Sequence, residues 1–120
     1  MLSGKRLLIV EEEFLIALDI QRMLDGAGTT AMIFVRSVDE AEAHVDRLEN
    51  MDIAIIGLPM ETSSAITLAQ ALHERGIAVV VSSSDHRHRH GIPALPFAAI
   101  IIKPFADEDL TRACLKALGG

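Results

Sequence analysis

The chain has no tryptophan, no tyrosine and one cysteine, and its aromatic residues are four phenylalanines. Platforms on which nucleotide bases could stack are therefore scarce. Basic residues are in deficit as well: 11 Lys and Arg stand against 17 Asp and Glu, for a formal net charge of −6. An acidic chain is a poor match for a phosphate backbone, so nucleic acid is not an expected partner. Cys114 has no second cysteine to bond, which excludes an internal disulfide and fits a reducing cytoplasm. Its helical position reads as a packed, inert thiol. No apolar run approaches the roughly 18 residues of a membrane span. Met1–Arg6 leads into an apolar tetrad without a small-residue cleavage site, so no signal peptide is expected. Repeats, low-complexity tracts and linkers are missing too.

What is present is a ladder of short apolar runs separated by helical patterns. The 120 residues suit one domain, 1–120, and a chain of this size folds without a disulfide or a metal. Leu7–Val10 reads as a buried strand, followed by Glu11, Glu12 and Glu13. Phe14–Asp25 places Ile16, Ile20, Met23 and Leu24 at helical spacing, with Gly26 and Gly28 as stop signals. Thr30–Val35 is a second strand. Ser37 and Glu40 form a capping box that opens a helix to about Asn50, with Val38, Ala41, Val45 and Leu48 on one face. Ile53–Ile56 is the third strand and Gly57–Thr62 a short loop. Ser63 or Ser64 is expected to cap a third helix, which Gly76 ends. Ala78–Val81 runs into Ser82, Ser83 and Ser84 as a fourth strand, and Ala98–Ile102 ends at Lys103-Pro104 as a fifth. Asp107 is the expected cap of a last helix to about Leu118. Alternating strands and helices predict a parallel α/β sheet of five strands with helices on both faces. Asp85–Pro96 breaks the rhythm: Gly91, Pro93 and Pro96 predict an irregular loop or one helical turn where a fourth helix should stand.

In such a ladder the carboxyl ends of the strands converge on one edge, where ligands and chemistry sit. They bring together Glu11 and Glu12, Gly57, Ser83 and Lys103. Two carboxylates, a hydroxyl and an ammonium suit Mg²⁺ and a phosphoryl group. Gly57 contributes no side chain at all.

The constellation resembles the receiver domain of bacterial two-component response regulators over about Lys5 to Leu118. Leu8-Ile9-Val10-Glu11-Glu12-Glu13 resembles its first strand and acidic pair. Val79-Val80-Val81-Ser82-Ser83 is similar to its fourth strand and hydroxyl residue, and Ile101-Ile102-Lys103-Pro104-Phe105 to its pocket lysine and following proline. The resemblance implies a flavodoxin-like receiver fold and a cis Lys103–Pro104 bond. It also implies departures. Family receivers carry a phosphoacceptor aspartate at the end of the third strand, and Gly57 falls on that position. Asp52 lies at the opposite end of the strand and is no displaced acceptor. The acidic pair has Glu12 where Asp is usual, the hydroxyl is Ser83 rather than Thr, and the switch aromatic falls on Ile100.

With the third carboxylate gone, any Mg²⁺ site built from Glu11 and Glu12 is expected to be weak, and no cofactor is required. Ser83 and Lys103 then form a relic phosphoryl pocket, with Lys103 serving either as a structural partner of the glutamates or as a phosphate sensor. His86, His88 and His90 alternate as zinc ligands would on a strand, but Arg87 and Arg89 between them favour a solvated basic loop. His44 and His73 read as ordinary helix-surface residues, and Glu61 as a fixed negative charge near the pocket at most. The favoured function is that of a non-enzymatic pseudo-receiver in the cytoplasm, signalling by contact with a protein partner such as a histidine kinase, without phosphorylation. A homodimer is compatible with the sequence. The alternatives are a phosphorelay receiver with a non-standard acceptor and, less favoured, a metal-binding protein built on the histidine loop. A shortened fourth helix should leave Ile92, Leu95, Phe97 and the fifth strand less covered, which places the expected partner surface on the Ile92–Ile102 side.

Overall fold

Ile53–Ile56 form β3, and all four side chains are fully buried, as an apolar run packed on both faces requires. The computed structural model describes residues 2–29, 31–44, 50–60 and 62–119. Around β3 lie β1 (Arg6–Val10), β2 (Ala31–Val35), β4 (Ala78–Ser83) and β5 (Ala99–Ile102). All neighbours pair in parallel, in the order β2-β1-β3-β4-β5. The connecting helices are α1 (Phe14–Asp25), α2 (Val38–Ala43), α3 (Ser63–Glu74) and α4 (Asp107–Ala117).

Side-chain alternation divides the core into two layers. Leu7, Ile9, Ile53, Ile55 and Val80 pack with Ile20 and Leu24 of α1 and Leu110 and Cys114 of α4. Leu8, Val10, Ala54, Ile56, Val79 and Val81 pack with Ala41 of α2 and Ala65, Ala69 and Leu72 of α3. Cys114 is fully buried, and burial pushes its thiol up to about 12, so it stays protonated and inert. No helix among the described residues is long and apolar enough to cross a membrane.

Several boundaries differ from the sequence reading, each for a local reason. Thr62, not Ser63 or Ser64, caps α3: its hydroxyl accepts from Ala65 N–H. Asp107 is the first residue of α4 rather than its cap, and Asp109 instead accepts from Ala106 N–H at 3.1 Å. β4 runs on through Ser82 and Ser83, because the serines keep the parallel pairing with Ile101 and Ile102. The Ser37 cap on Glu40 N–H is present, and Glu40 reaches back to Arg36 N–H. The expected continuation of this helix, with Val45 and Leu48, lies outside the described residues. Asp52 has a structural task, accepting from Arg6 N–H at 2.9 Å and so pinning the start of β1.

Between β4 and β5 stands one 3-10 helical turn, His86–His90, in place of a full helix. The segment after it does not lie open as expected. Ile92 and Leu95 are buried, and Phe97 stacks on His73 with ring centroids 3.8 Å apart. Gln70 of α3 also donates to Ala94 O. The chain thus folds its own apolar residues down onto α3, closing the surface that a missing helix would have bared. The Lys103–Pro104 bond is cis.

Candidate functional site

Four strand ends meet at the carboxyl edge of the sheet. Glu11 follows β1 directly and is anchored by its N–H to Val35 O; Gly57 follows β3 and donates to Val10 O. Ser83 closes β4, and Lys103 follows β5, donating its backbone N–H to Ser83 O at 2.7 Å. Backbone pairing therefore fixes the origin of every side chain at this edge.

The Glu11 side chain is 1% exposed and lies under the others. Lys103 Nζ donates to Glu11 Oε1 at 3.0 Å and to Gly57 O at 3.3 Å. Glu11 Oε2 accepts from Glu13 N–H at 3.0 Å, which ties the carboxylate to the start of α1. A β-carbon built on Gly57 would fall well inside van der Waals contact with Glu11 Oε1 and 2.9 Å from its Cδ. The Glu11 carboxylate thus fills the space that a side chain at position 57 would need. The absence of a side chain at Gly57 and the burial of Glu11 are one feature.

This arrangement makes Lys103 the structural partner of Glu11, one of the two roles the sequence reading gave it. Both oxygens of Glu11 are engaged, one by an ammonium, so this carboxylate is not free for a cation. Glu12 is exposed and has no hydrogen bond or ion pair among the described residues. One free carboxylate beside a lysine is a poor match for Mg²⁺, which asks for a compact set of oxygen donors in octahedral array. The residues present do not fit that ion.

Ser83 is buried and does not face Lys103 alone. Its hydroxyl accepts from Asp85 N–H at 3.0 Å and shares a 2.7 Å hydrogen bond with His88 Nδ1. His88 therefore turns inward, against the reading of a wholly solvated histidine loop, whereas His86 and His90 are exposed. The 3-10 turn separates the three rings, and no cluster of three potential ligands occurs among the described residues. Ser82 Oγ is buried without a partner among the described residues, and Ser82 lines a small cleft of about 80 Å³ together with Glu12, Gly57, Ser83 and Lys103. Ile100, the switch position of the resemblance, is half-buried and packs on the α2–α3 side of the core. Glu61 lies outside the described residues.

Asp85 caps the turn, and Arg87 grips its carboxylate through Nε and Nη2, the latter at 2.8 Å. Those side-chain hydrogen bonds, with the one from Arg87 N–H, hold the Asp85 carboxyl at about 2 against an ordinary 3.8. A depressed carboxyl contributes stability above its unfolded value and loses it as pH falls through the folded value. The contribution should therefore vanish between about 4 and about 2. In Arg87→Ala the Asp85 titration followed by carboxyl NMR should move up toward 3.8; an unmoved midpoint would show that Arg87 is not its cause.

One surface feature escaped the sequence reading. Phe14 and Leu15 are 68% and 75% exposed, and Leu18 and Phe34 are also exposed. Phe14, Leu18 and Phe34, with Glu11, Arg36 and Glu40, border a groove between α1 and β2. Part of the signal was available: Phe14, Leu15 and Leu18 are apolar positions of α1 off its Ile16, Ile20, Met23 and Leu24 stripe, whereas Phe34 lies on the edge strand β2.

No protein-family model matches the chain, and no curated protein matches its sequence. Solved structures do match. A response regulator receiver domain protein from Clostridium thermocellum superposes with a TM-score of 0.78 at 19% identity, over 96% of this chain and 94% of that one. A response regulator receiver protein from Sinorhizobium medicae gives 0.79 at 19% identity, over 100% and 98%. A sensor protein from Polaromonas gives 0.77 at 24% identity, over 96% of each chain. At these identities the likeness shows the fold, which is that of the CheY-like, flavodoxin-type receivers.

Proposed function

We propose that this chain is a pseudo-receiver: a non-enzymatic module of two-component type that signals by protein contact and takes no phosphoryl group on an aspartate. The observation that carries the reading is the buried Glu11–Lys103 pair. By the sequence resemblance, Gly57 falls where receivers carry the acceptor aspartate. Here Glu11 occupies that space and holds the pocket lysine at 3.0 Å. The acceptor is missing, one acidic ligand is neutralised and the lysine is already satisfied. A pocket so closed needs no Mg²⁺ and has no charge to change, so its state is fixed by the sequence. The partner implied is a signalling protein, a histidine kinase being one candidate by analogy of fold.

The test is incubation with acetyl phosphate and Mg²⁺, followed by intact-mass measurement. The expected result is an unchanged mass. A stoichiometric base-labile phosphoryl adduct would overturn the proposal. One contact favours a second reading, a receiver with a non-standard acceptor: the 2.7 Å hydrogen bond shared by Ser83 Oγ and His88 Nδ1 pairs a hydroxyl with an imidazole. That reading predicts an adduct that survives base-free acid, lies on Ser83 and disappears in His88→Ala.

A further inference from the structure

β2 is an edge of the sheet, and no strand of the described residues pairs with its outer side. The bond from Glu11 N–H to Val35 O fixes the phase of its ladder with β1. By alternation, Ala31, Ile33 and Val35 turn their backbone groups toward β1, while Met32 and Phe34 turn theirs outward. The next amide in that series, Arg36 N–H, is closed by the Glu40 carboxylate at 3.1 Å, which bounds the open stretch. No described residue bonds the outward N–H and C=O of Met32 and Phe34. The strand reads Ala-Met-Ile-Phe-Val, without the charges or prolines that usually blunt an edge. Its first four side chains are left partly uncovered, Phe34 at 37%.

The two ends of this edge differ in charge. Lys5 and Arg6 stand at the amino end, Arg6 in register with Ala31, and neither has an ion pair among the described residues. Asp25 closes α1 at the same end. Glu40 stands at the carboxyl end, beside Arg36 and on the side of the exposed Glu12 and Glu13.

We infer that two copies of this chain join β2 to β2, antiparallel, about a two-fold axis through Ile33, making one continuous sheet. Met32 of each copy then lies opposite Phe34 of the other. Both are outward residues, so each such pair exchanges two backbone hydrogen bonds, and the edge satisfies its own open groups. Phe34 packs on Met32 across the seam on the α1 side, and Ile33 meets Ile33 on the α2–α3 side. The antiparallel sense sets Lys5 and Arg6 of one copy toward Glu40 of the other, and Arg36 toward Asp25. It also keeps the two acidic ends apart, which a chain of net charge −6 requires. A strand of another protein could use the same backbone groups; the matching of both charged ends is what favours a second copy. The dimer does not depend on the closed pocket: a phosphoryl adduct would leave it standing, and a monomer would leave the pocket reading standing.

The experiment uses the full chain. Sedimentation equilibrium from about 1 μM to about 1 mM should show a monomer–dimer equilibrium. Over the same range, amide exchange followed by NMR should slow with concentration at Met32 and Phe34 and stay constant at Ile33 and Val35. Phe34→Lys, at an exposed position, should weaken the dimer at least about tenfold. Thiol pairing reads the register. Directly opposed residues in a non-hydrogen-bonded pair have Cα atoms about 4.5 Å apart, within disulfide reach. Mild oxidation should therefore link Ile33→Cys to its own counterpart. Phe34→Cys, set two residues off its counterpart, should stay unlinked, and the buried Cys114 takes no part. A monomer up to about 1 mM would overturn the inference. So would a dimer that leaves Met32 and Phe34 exchange unchanged, preferential linking of Phe34→Cys, or open-ended polymers in place of a closed pair. Protection of the two amides that ignores concentration would also overturn it, because the chain itself would then cover its edge.

Discussion

Gly57→Ala should lower the stability of the fold by about 2–3 kcal/mol, a large loss for a single methyl group. The backbone is not the obstacle. Gly57 is not among the glycines with positive φ, so a β-carbon is allowed there by conformation. The obstacle is the Glu11 carboxylate, which already fills the space. It is the end of a flexible side chain, so it yields, and in yielding it leaves both Lys103 and the Glu13 N–H. A carboxylate that was 1% exposed must then find water or remain buried without its cation. Lys103, 17% exposed, retains Gly57 O and partial hydration.

The mechanism has a signature that a general packing defect would lack. In a Glu11→Ala background the space is empty, and Gly57→Ala should then be neutral or stabilising by up to about 1 kcal/mol, through the unfolded chain. Urea denaturation of the four proteins of this cycle should give a coupling of about 2–4 kcal/mol. Equal costs in both backgrounds would show that Glu11 and position 57 do not compete for the same space.

The fold was legible because its signals are local and repeated. Leu7–Val10, Ile53–Ile56 and Ala78–Val81 are short apolar runs with breakers on either side, and each became an interior strand. Gly91, Pro93 and Pro96 correctly foretold the loss of a helix. The boundaries were less legible where several residues can cap one helix: Thr62 competes with Ser63 and Ser64, and only the turn geometry decides. The site was legible as a set of residues but not as a set of partners. That Glu11, Gly57, Ser83 and Lys103 converge follows from strand order. That Glu11 rather than Glu12 turns inward, beneath Lys103, depends on the path of the chain after β1, which no spacing encodes. The inward turn of His88 was hidden for a related reason. Alternation suggested a strand, and the 3-10 turn sends one ring of three to Ser83. The expected patch closes at Ile92 and Leu95, because the segment packs back on α3 through Gln70 and His73, while β5 remains the edge strand of the sheet.

Gly57→Asp should convert the closed edge into a cation site. The introduced carboxylate must displace Glu11 from beneath Lys103, and among the described residues the acidic side chains lining this cleft are Glu12, Glu13 and the Arg87-held Asp85. Two or three carboxylates would then share the small cleft with one ammonium. In chelator this variant should melt below wild type, because like charges in one cleft repel. A cation that binds only the folded state reverses the deficit by mass action, about 1.4 kcal/mol at tenfold its dissociation constant. For a domain of this size that corresponds to a rise of roughly 3–6 °C. Wild type, with Glu11 held by Lys103, should show almost no response to Mg²⁺, and Gly57→Asn, which expels Glu11 without adding charge, should respond less than Gly57→Asp. Differential scanning fluorimetry with Mg²⁺ and with chelator reads all three. A Gly57→Asp melting temperature that ignores a large excess of Mg²⁺ would mean that position 57 does not face the acidic pair, and the assignment of Gly57 to the acceptor position would fall with it.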